Sequence, residues 1–166
     1  MGRNTQGRAF RISQRTDIFC FQEFRDNMPA LSRAILVGHT EIDLQKQHAD
    51  WAIYVRKDIP ILASGHILQE EPNMGSGGYI KIKYADNDMY VCGVHGWPWP
   101  GSKKDDGNRL KQSKEIIDSF KEKEGLKVIG GDFNLLPDTE SIKMFTENGY
   151  RNLIKESGIR TTRNHL

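Results

Sequence analysis

Residues 78–96, GYIKIKYADNDMYVCGVHG, constrain the fold more than any other stretch of the chain. Tyr79 to Tyr84 alternate apolar with polar, ADND supplies a turn, and Met89 to Val94 return. Strict alternation sends successive side chains to opposite faces of a sheet, so the pattern predicts a β-hairpin. Three further runs read as strands. DIFCFQE (17–23) and LKVIGGD (126–132) are short, nearly continuous apolar runs, expected to be buried on both faces, and DWAIYVRKD (50–58) is bounded by charges.

Between and after these strands the period changes to that of a helix. In NRLKQSKEIIDSFKEKEG (108–125), Leu110, Ser113, Ile116, Ile117 and Phe120 share one face and Lys and Glu cover the other. Asn108 is expected to cap its start and Gly125 its end. DTESIKMFTENG (138–149) repeats the pattern, with Asp138 or Thr139 as cap and Gly149 as stop. Residues 25–49 carry a weaker pattern, with Pro29 opening a helix through Leu36. Strands alternating with helices, plus a hairpin, predict an α/β class with a mixed sheet.

The 166 residues suggest one domain, long enough to bury a substantial core. A net charge of +2 names no nucleic-acid partner by charge alone. No apolar run approaches the roughly 20 residues of a membrane span. Cys20 and Cys92 both lie within apolar runs and read as core residues rather than a disulfide pair, so a reducing, cytoplasmic setting and a monomer are expected.

Three apolar runs share one further property: each ends in polar residues. DIFCF runs into Gln22 and Glu23, MYVCGV into His95, and KVIGG into Asp132 and Asn134. In extended backbone Asp132 and Asn134 face one side and Phe133 the other. Gly130 and Gly131 permit close approach of backbone or ligand. A carboxylate at a buried strand end is costly unless it is paired, hydrogen-bonded or bound to a cation. Each residue also has a plain explanation: a solvated Glu, a hydrogen-bonded His, an Asx turn. Taken together they form an oxygen-rich set with one imidazole, which suits Mg²⁺ or Mn²⁺ better than zinc. Such a set fits phosphate-ester hydrolysis, with Glu23 on the metal, Asp132 on the attacking water and Asn134 orienting it. The metal and His95 would stabilise charge on the phosphoryl oxygens.

At these residues the sequence resembles the endonuclease/exonuclease/phosphatase superfamily of metal-dependent phosphoesterases, over most of its length. DIFCFQE resembles the strand whose closing Glu holds the divalent cation, which implies that role for Glu23. GGDFN resembles the Gly-Asp-Phe-Asn motif. This implies that Asp132 orients or deprotonates the water and that Asn134 contacts phosphate. VHGW matches a strand-end His near the phosphate, here His95. NRLKQSKEI resembles the helix that precedes the GDFN strand, and implies bracing roles for Arg109 and Gln112. DWAIYVRKDI resembles another strand of the family. Asn4 in RNTQG stands where a further metal ligand is found, although no strand precedes it.

The resemblance implies a DNase I-like fold of two β-sheets packed face to face with helices outside, incomplete in this chain. It implies a closing Ser-Asp-His motif that does not occur before Leu166; His165 lacks the preceding Ser-Asp and is not assigned that role. A fragment is therefore expected, poorly stable and weakly active alone, with sheet edges or core faces uncovered. The expected partner is a phosphate ester, with nucleic acid and phospholipid or inositol phosphate all open. HGWPWPGSKKDD (95–106) bears on that choice. Trp97 and Trp99, beside Lys103 and Lys104, suit base stacking with phosphate contact, a lipid interface, or packing on their own domain. Trp97 is the candidate substrate contact. The alternative to an enzyme is a non-catalytic binding module on the same scaffold.

Overall fold

The computed structural model describes residues 15–23, 35–36, 39–42, 51–68, 73–159 and 162. Asn4, Pro29 and His165 lie outside the described residues, as does most of the stretch expected to form a helix up to Leu36; Ile35 and Leu36 are helical. The elements in order are β1 (Ile18–Gln22), β2 (His39–Ile42), β3 (Trp51–Arg56), β4 (Ile61–Ile67), β5 (Ser76–Tyr84), β6 (Asn87–His95), α1 (Gly107–Lys121), β7 (Leu126–Asp132), α2 (Glu140–Glu147) and α3 (Leu153–Glu156).

The strands form two sheets, ordered β1-β3-β2 and β4-β5-β6-β7. All pairs are antiparallel except β6 with β7, which makes the larger sheet mixed, as the sequence pattern implied. Alternation along the strands explains why the sheets stack. Trp51, Ile53 and Val55 of β3 meet Ile80, Ile82 and Val91 of β5 and β6 between the sheets, with Ile18 and Cys20 of β1 packed against them. The intervening residues face outward. Ala52 and Tyr54 join Ile35, Phe19 and Phe21 on one outer face. Tyr90, Cys92 and Val94 join Ile116, Ile117 and Phe120 of α1 and Phe145 of α2 on the other. The result is a two-sheet sandwich with helices outside, so most strands are apolar on both faces. At Gly93 a side chain would sit 3.3 Å from Cys20 Cβ, so its absence lets β1 approach β6 closely.

Several local expectations change. β7 is an edge strand among the described residues, so Leu126 and Val128 are 51% and 47% exposed rather than buried. The helix α1 starts at Gly107, and Asp106, not Asn108, caps it by accepting from Arg109 N at 3.0 Å. Its C-cap is Glu122; Gly125 instead turns the chain into β7 with φ +111, close against Asp88 O. Gly149 follows the α2 C-cap Asn148 with φ +85, as a helix stop requires. β2 and β4 carried no readable signal; β4, ILASGHI, contains Ala, Ser and Gly, which are weak strand formers.

Thr139 is the N-cap of α2 but makes no side-chain cap bond. Asp105 does that work from outside the helix, accepting from Glu140 N at 2.8 Å, Ser141 N at 2.9 Å and Ser141 Oγ at 2.5 Å. Partial burial pushes the Asp105 carboxyl up, but these three bonds outweigh it and hold it below the ordinary value of 3.8. A depressed carboxylate contributes stability above its unfolded value and loses it as pH falls through the folded one. The protein should therefore lose stability as pH falls below about 3.8, and Asp105→Asn should flatten that acid limb in urea titrations at a series of pH values.

Burial also raises both thiols, Cys20 to about 11 and Cys92 likewise upward. Both are free and sit in strands, in keeping with core roles.

Candidate active site

β1, β6 and β7 end together at one rim of the sandwich. In the parallel β6–β7 pair His95 stands opposite Asp132, and Gly96 N donates to Asp132 O at 2.7 Å. His95 shares a face with Met89 and Val91, which look into the space between the sheets. Glu23 arrives there from the other sheet, one residue past β1, and turns back with φ +52. Its Oε1 lies 3.7 Å from His95 Nε2, beyond hydrogen-bond length. The imidazole is nearly enclosed, at 10% exposure, whereas the carboxylate is 72% exposed. Gln22 completes the junction. A Cβ on Gly131 would lie 2.9 Å from Gln22 Nε2 and 2.0 Å from Val94 O, so the φ of +132 at Gly131 is tolerable only without a side chain.

Glu23, His95 and Asp132 thus lie at one rim. Asp132 is exposed, and its Oδ1 accepts from Asn134 N at 2.8 Å. This is the Asx turn weighed above, and it leaves Oδ2 with no partner among the described residues. The strand stops at Asp132 and the chain turns at Asn134, φ +54. Phe133 packs on Phe145 as expected, with ring centroids 5.5 Å apart. Asn134 itself is 7% exposed. Its Nδ2 donates to Gly96 O at 2.8 Å and its Oδ1 accepts from Lys103 Nζ. In this arrangement Asn134 ties the β7 end to the loop that follows β6.

That loop is the Trp-Pro segment, and it is braced from beneath by α1. Gln112 and Arg109 are fully buried. Gln112 Oε1 accepts from Trp97 N at 2.9 Å. Arg109 donates to Lys104 O at 2.6 Å and Pro100 O at 2.7 Å. Trp97 is half-buried, and Trp99 is 67% exposed. Lys103 stood out in the sequence only as a loop cation; its bond to Asn134 spans 31 residues and no local pattern announces it. A shallow cavity of about 320 Å³, lined by Lys104, Asp105, Leu136, Asp138 and Thr139, contains none of the strand-end residues.

Among the described residues no group of three or more His, Cys, Asp and Glu side chains forms a closed metal site. The exposed carboxylates of Glu23 and Asp132, with Oδ2 unengaged, instead offer hard oxygen donors on an open rim. That set fits magnesium, which takes one or two carboxylates and fills the rest of its shell with water and substrate phosphate.

No protein-family model matches the chain, and no curated protein matches it in sequence. Solved structures do match. Zebrafish TDP2 with a single-strand DNA product aligns at TM-score 0.64 and 15% identity, over 88% of this chain and 60% of that one. SmcL aligns at 0.61 and 16%, over 97% and 73%. Staphylococcus aureus beta toxin aligns at 0.58 and 21%, over 86% and 63%. The class is therefore a two-sheet sandwich of the DNase I-like kind. The likeness to these structures is one of fold, and the chain spans about three fifths of the zebrafish TDP2 chain.

Replacing Asn134 with Ala removes the bond to Gly96 O and strands a buried carbonyl. The expected cost is about 1–3 kcal/mol of stability by urea denaturation.

Proposed function

We propose that this chain belongs to a divalent-metal-dependent hydrolase of phosphate esters. The observation that carries the reading is the convergence of Glu23, His95 and Asp132 from three strand ends and two sheets, with 3.7 Å between His95 and Glu23 and direct register between His95 and Asp132. Accidental polar residues at three strand ends have no reason to share one rim.

Glu23, with Asn4 as a further candidate, would hold Mg²⁺ or Mn²⁺. The ion supplies charge stabilisation on the phosphoryl group when bound. Asp132 keeps its carboxylate aimed by the Asn134 amide, and Oδ2 accepts the proton of a water. That water forms the new P–O bond as the ester P–O bond breaks, and the leaving oxygen takes its proton from solvent. His95, held rigid by its burial, donates from Nε2 to a phosphoryl oxygen. Asn134 keeps the geometry of the rim and has one amide hydrogen left for a phosphate oxygen. Trp97 borders the site as a candidate substrate contact.

The substrate class rests on the loop. The zebrafish TDP2 structure contains a single-strand DNA product. Exposed Trp99 beside Lys103 and Lys104 supports nucleic acid over lipid, since base stacking needs one aromatic plane and nearby cations. No described helix is long and apolar enough to cross a membrane.

With Mg²⁺ or Mn²⁺, the full-length protein should hydrolyse members of a phosphodiester and phosphomonoester panel. Asp132→Asn should lower kcat by about 10²–10⁴-fold with the melting temperature unchanged. Saturable Mg²⁺ binding in calorimetry should be lost in Glu23→Ala. A protein that binds metal equally well without Glu23, and turns over equally well without Asp132, is not this enzyme; a binding module on the same scaffold would show neither turnover nor that dependence.

A further inference from the structure

Beyond its bond to Asn134, Lys103 has entered so far only as one of two loop cations beside Trp99, yet its environment is unlike that of the other paired lysines. Lys81, Lys83, Lys114 and Lys143 each meet a carboxylate. Lys103 is half-buried, and among the described residues its ammonium meets only neutral oxygens, Pro98 O at 3.3 Å and Asn134 Oδ1. A partly desolvated cation without an anion is unfavourable, and two carbonyl acceptors would be satisfied as well by a neutral amide. An ammonium has three donors, so one N–H remains.

Position supplies the rest. Asn134 accepts from Lys103 and, through its own backbone N–H, donates to Asp132 Oδ1 at 2.8 Å. The ammonium is therefore fixed one side chain away from the carboxylate at the rim. Lys103 holds φ +56, and the Lys104 and Pro100 carbonyls on either side of it are gripped by buried Arg109. The loop is built to present this one cation in a fixed place.

We propose that Lys103 is a phosphate-binding residue of this site, donating from Nζ to a non-bridging phosphoryl oxygen of the substrate. The inference rests on the phosphate-ester reading above and adds a group that neutralises substrate charge on the Asn134 side of the rim. No bond is made or broken by Lys103, so its effect falls on binding of ground state and transition state alike, and appears in KM.

The test uses inorganic phosphate as probe, titrated into the full-length, Mg²⁺-loaded protein by calorimetry, alongside KM for whichever ester is turned over. Lys103→Gln keeps donors for Pro98 O and Asn134 and removes the charge; Lys103→Met removes both; Lys103→Arg keeps the charge. Phosphate affinity should fall about 10- to 100-fold in Gln and Met, with a parallel rise in KM, and should be largely kept in Arg. If Met alone fails to fold, Gln carries the comparison. Unchanged phosphate affinity in Lys103→Gln, in a wild type that binds phosphate and turns over, overturns the proposal alone and leaves Lys103 as a loop brace. A wild type that neither binds phosphate nor hydrolyses any ester overturns the hydrolase reading, and this proposal with it.

Discussion

The parallel pairing of β6 with β7 is the constraint on which the rest depends. It places His95 directly opposite Asp132. A slip of one residue in that ladder would send Asp132 to the outer face, toward the aromatic cluster of α1 and α2. The register is held by more than the ladder. Ile129 packs against the outer core while Val91 and Met89 face the inner one, so each residue has a face it must occupy. Gly131, with its left-handed φ, lets the strand end close against Val94 O and admit Gln22 from the opposing sheet. Through Gln22 the same junction positions Glu23. One local backbone feature thus links the two sheets at the place where chemistry is proposed.

The second support lies underneath. Arg109 and Gln112 are polar side chains with no exposure, on the helix face that packs against the larger sheet. Their hydrogen bonds go to the backbone of residues 97–104 rather than to side chains. Buried polar groups are expensive unless satisfied; these bonds fix the loop, while Arg109 Nε and Gln112 Nε2 have no hydrogen-bond partner among the described residues. Asn134 closes the same loop from the β7 side. The Trp-Pro segment is therefore stapled at both ends, and its exposed Trp99 and half-buried Lys103 are held in place by interactions that lie behind them.

Much of this was legible in the sequence, and the reasons are specific. The hairpin of β5 and β6 announced itself because its strands alternate and ADND supplies a tight turn. Positive φ values at Ala85 and Asp86 show which two residues make it. β3 is legible as an apolar run because the sandwich buries both of its faces, whereas β1, at an edge, is only partly buried along its whole length. β7 is more exposed than its sequence suggests, because a run of Leu, Val and Ile looks identical whether or not a neighbour covers it. β2 and β4 were invisible because their strand character comes from pairing partners and not from their own residues. Glu23, His95 and Asp132 stand out as candidates because a polar residue closing an apolar strand is locally anomalous, and the structure puts all three at one rim. The places where sequence failed are long-range polar contacts. Asp105 caps a helix 35 residues away, and Lys103 meets Asn134 across 31, and neither pairing leaves a periodic trace.

On the reading proposed above, the rim formed by Glu23, His95 and Asp132 is a seat for one hard cation. The most direct measurement is a crystal structure of the full-length protein grown with Mn²⁺, read by its anomalous scattering. A single strong peak is expected at inner-sphere distance from a Glu23 carboxylate oxygen, on the His95–Asp132 side of the rim. A peak elsewhere on the molecule, or an empty rim at saturating Mn²⁺, would contradict it.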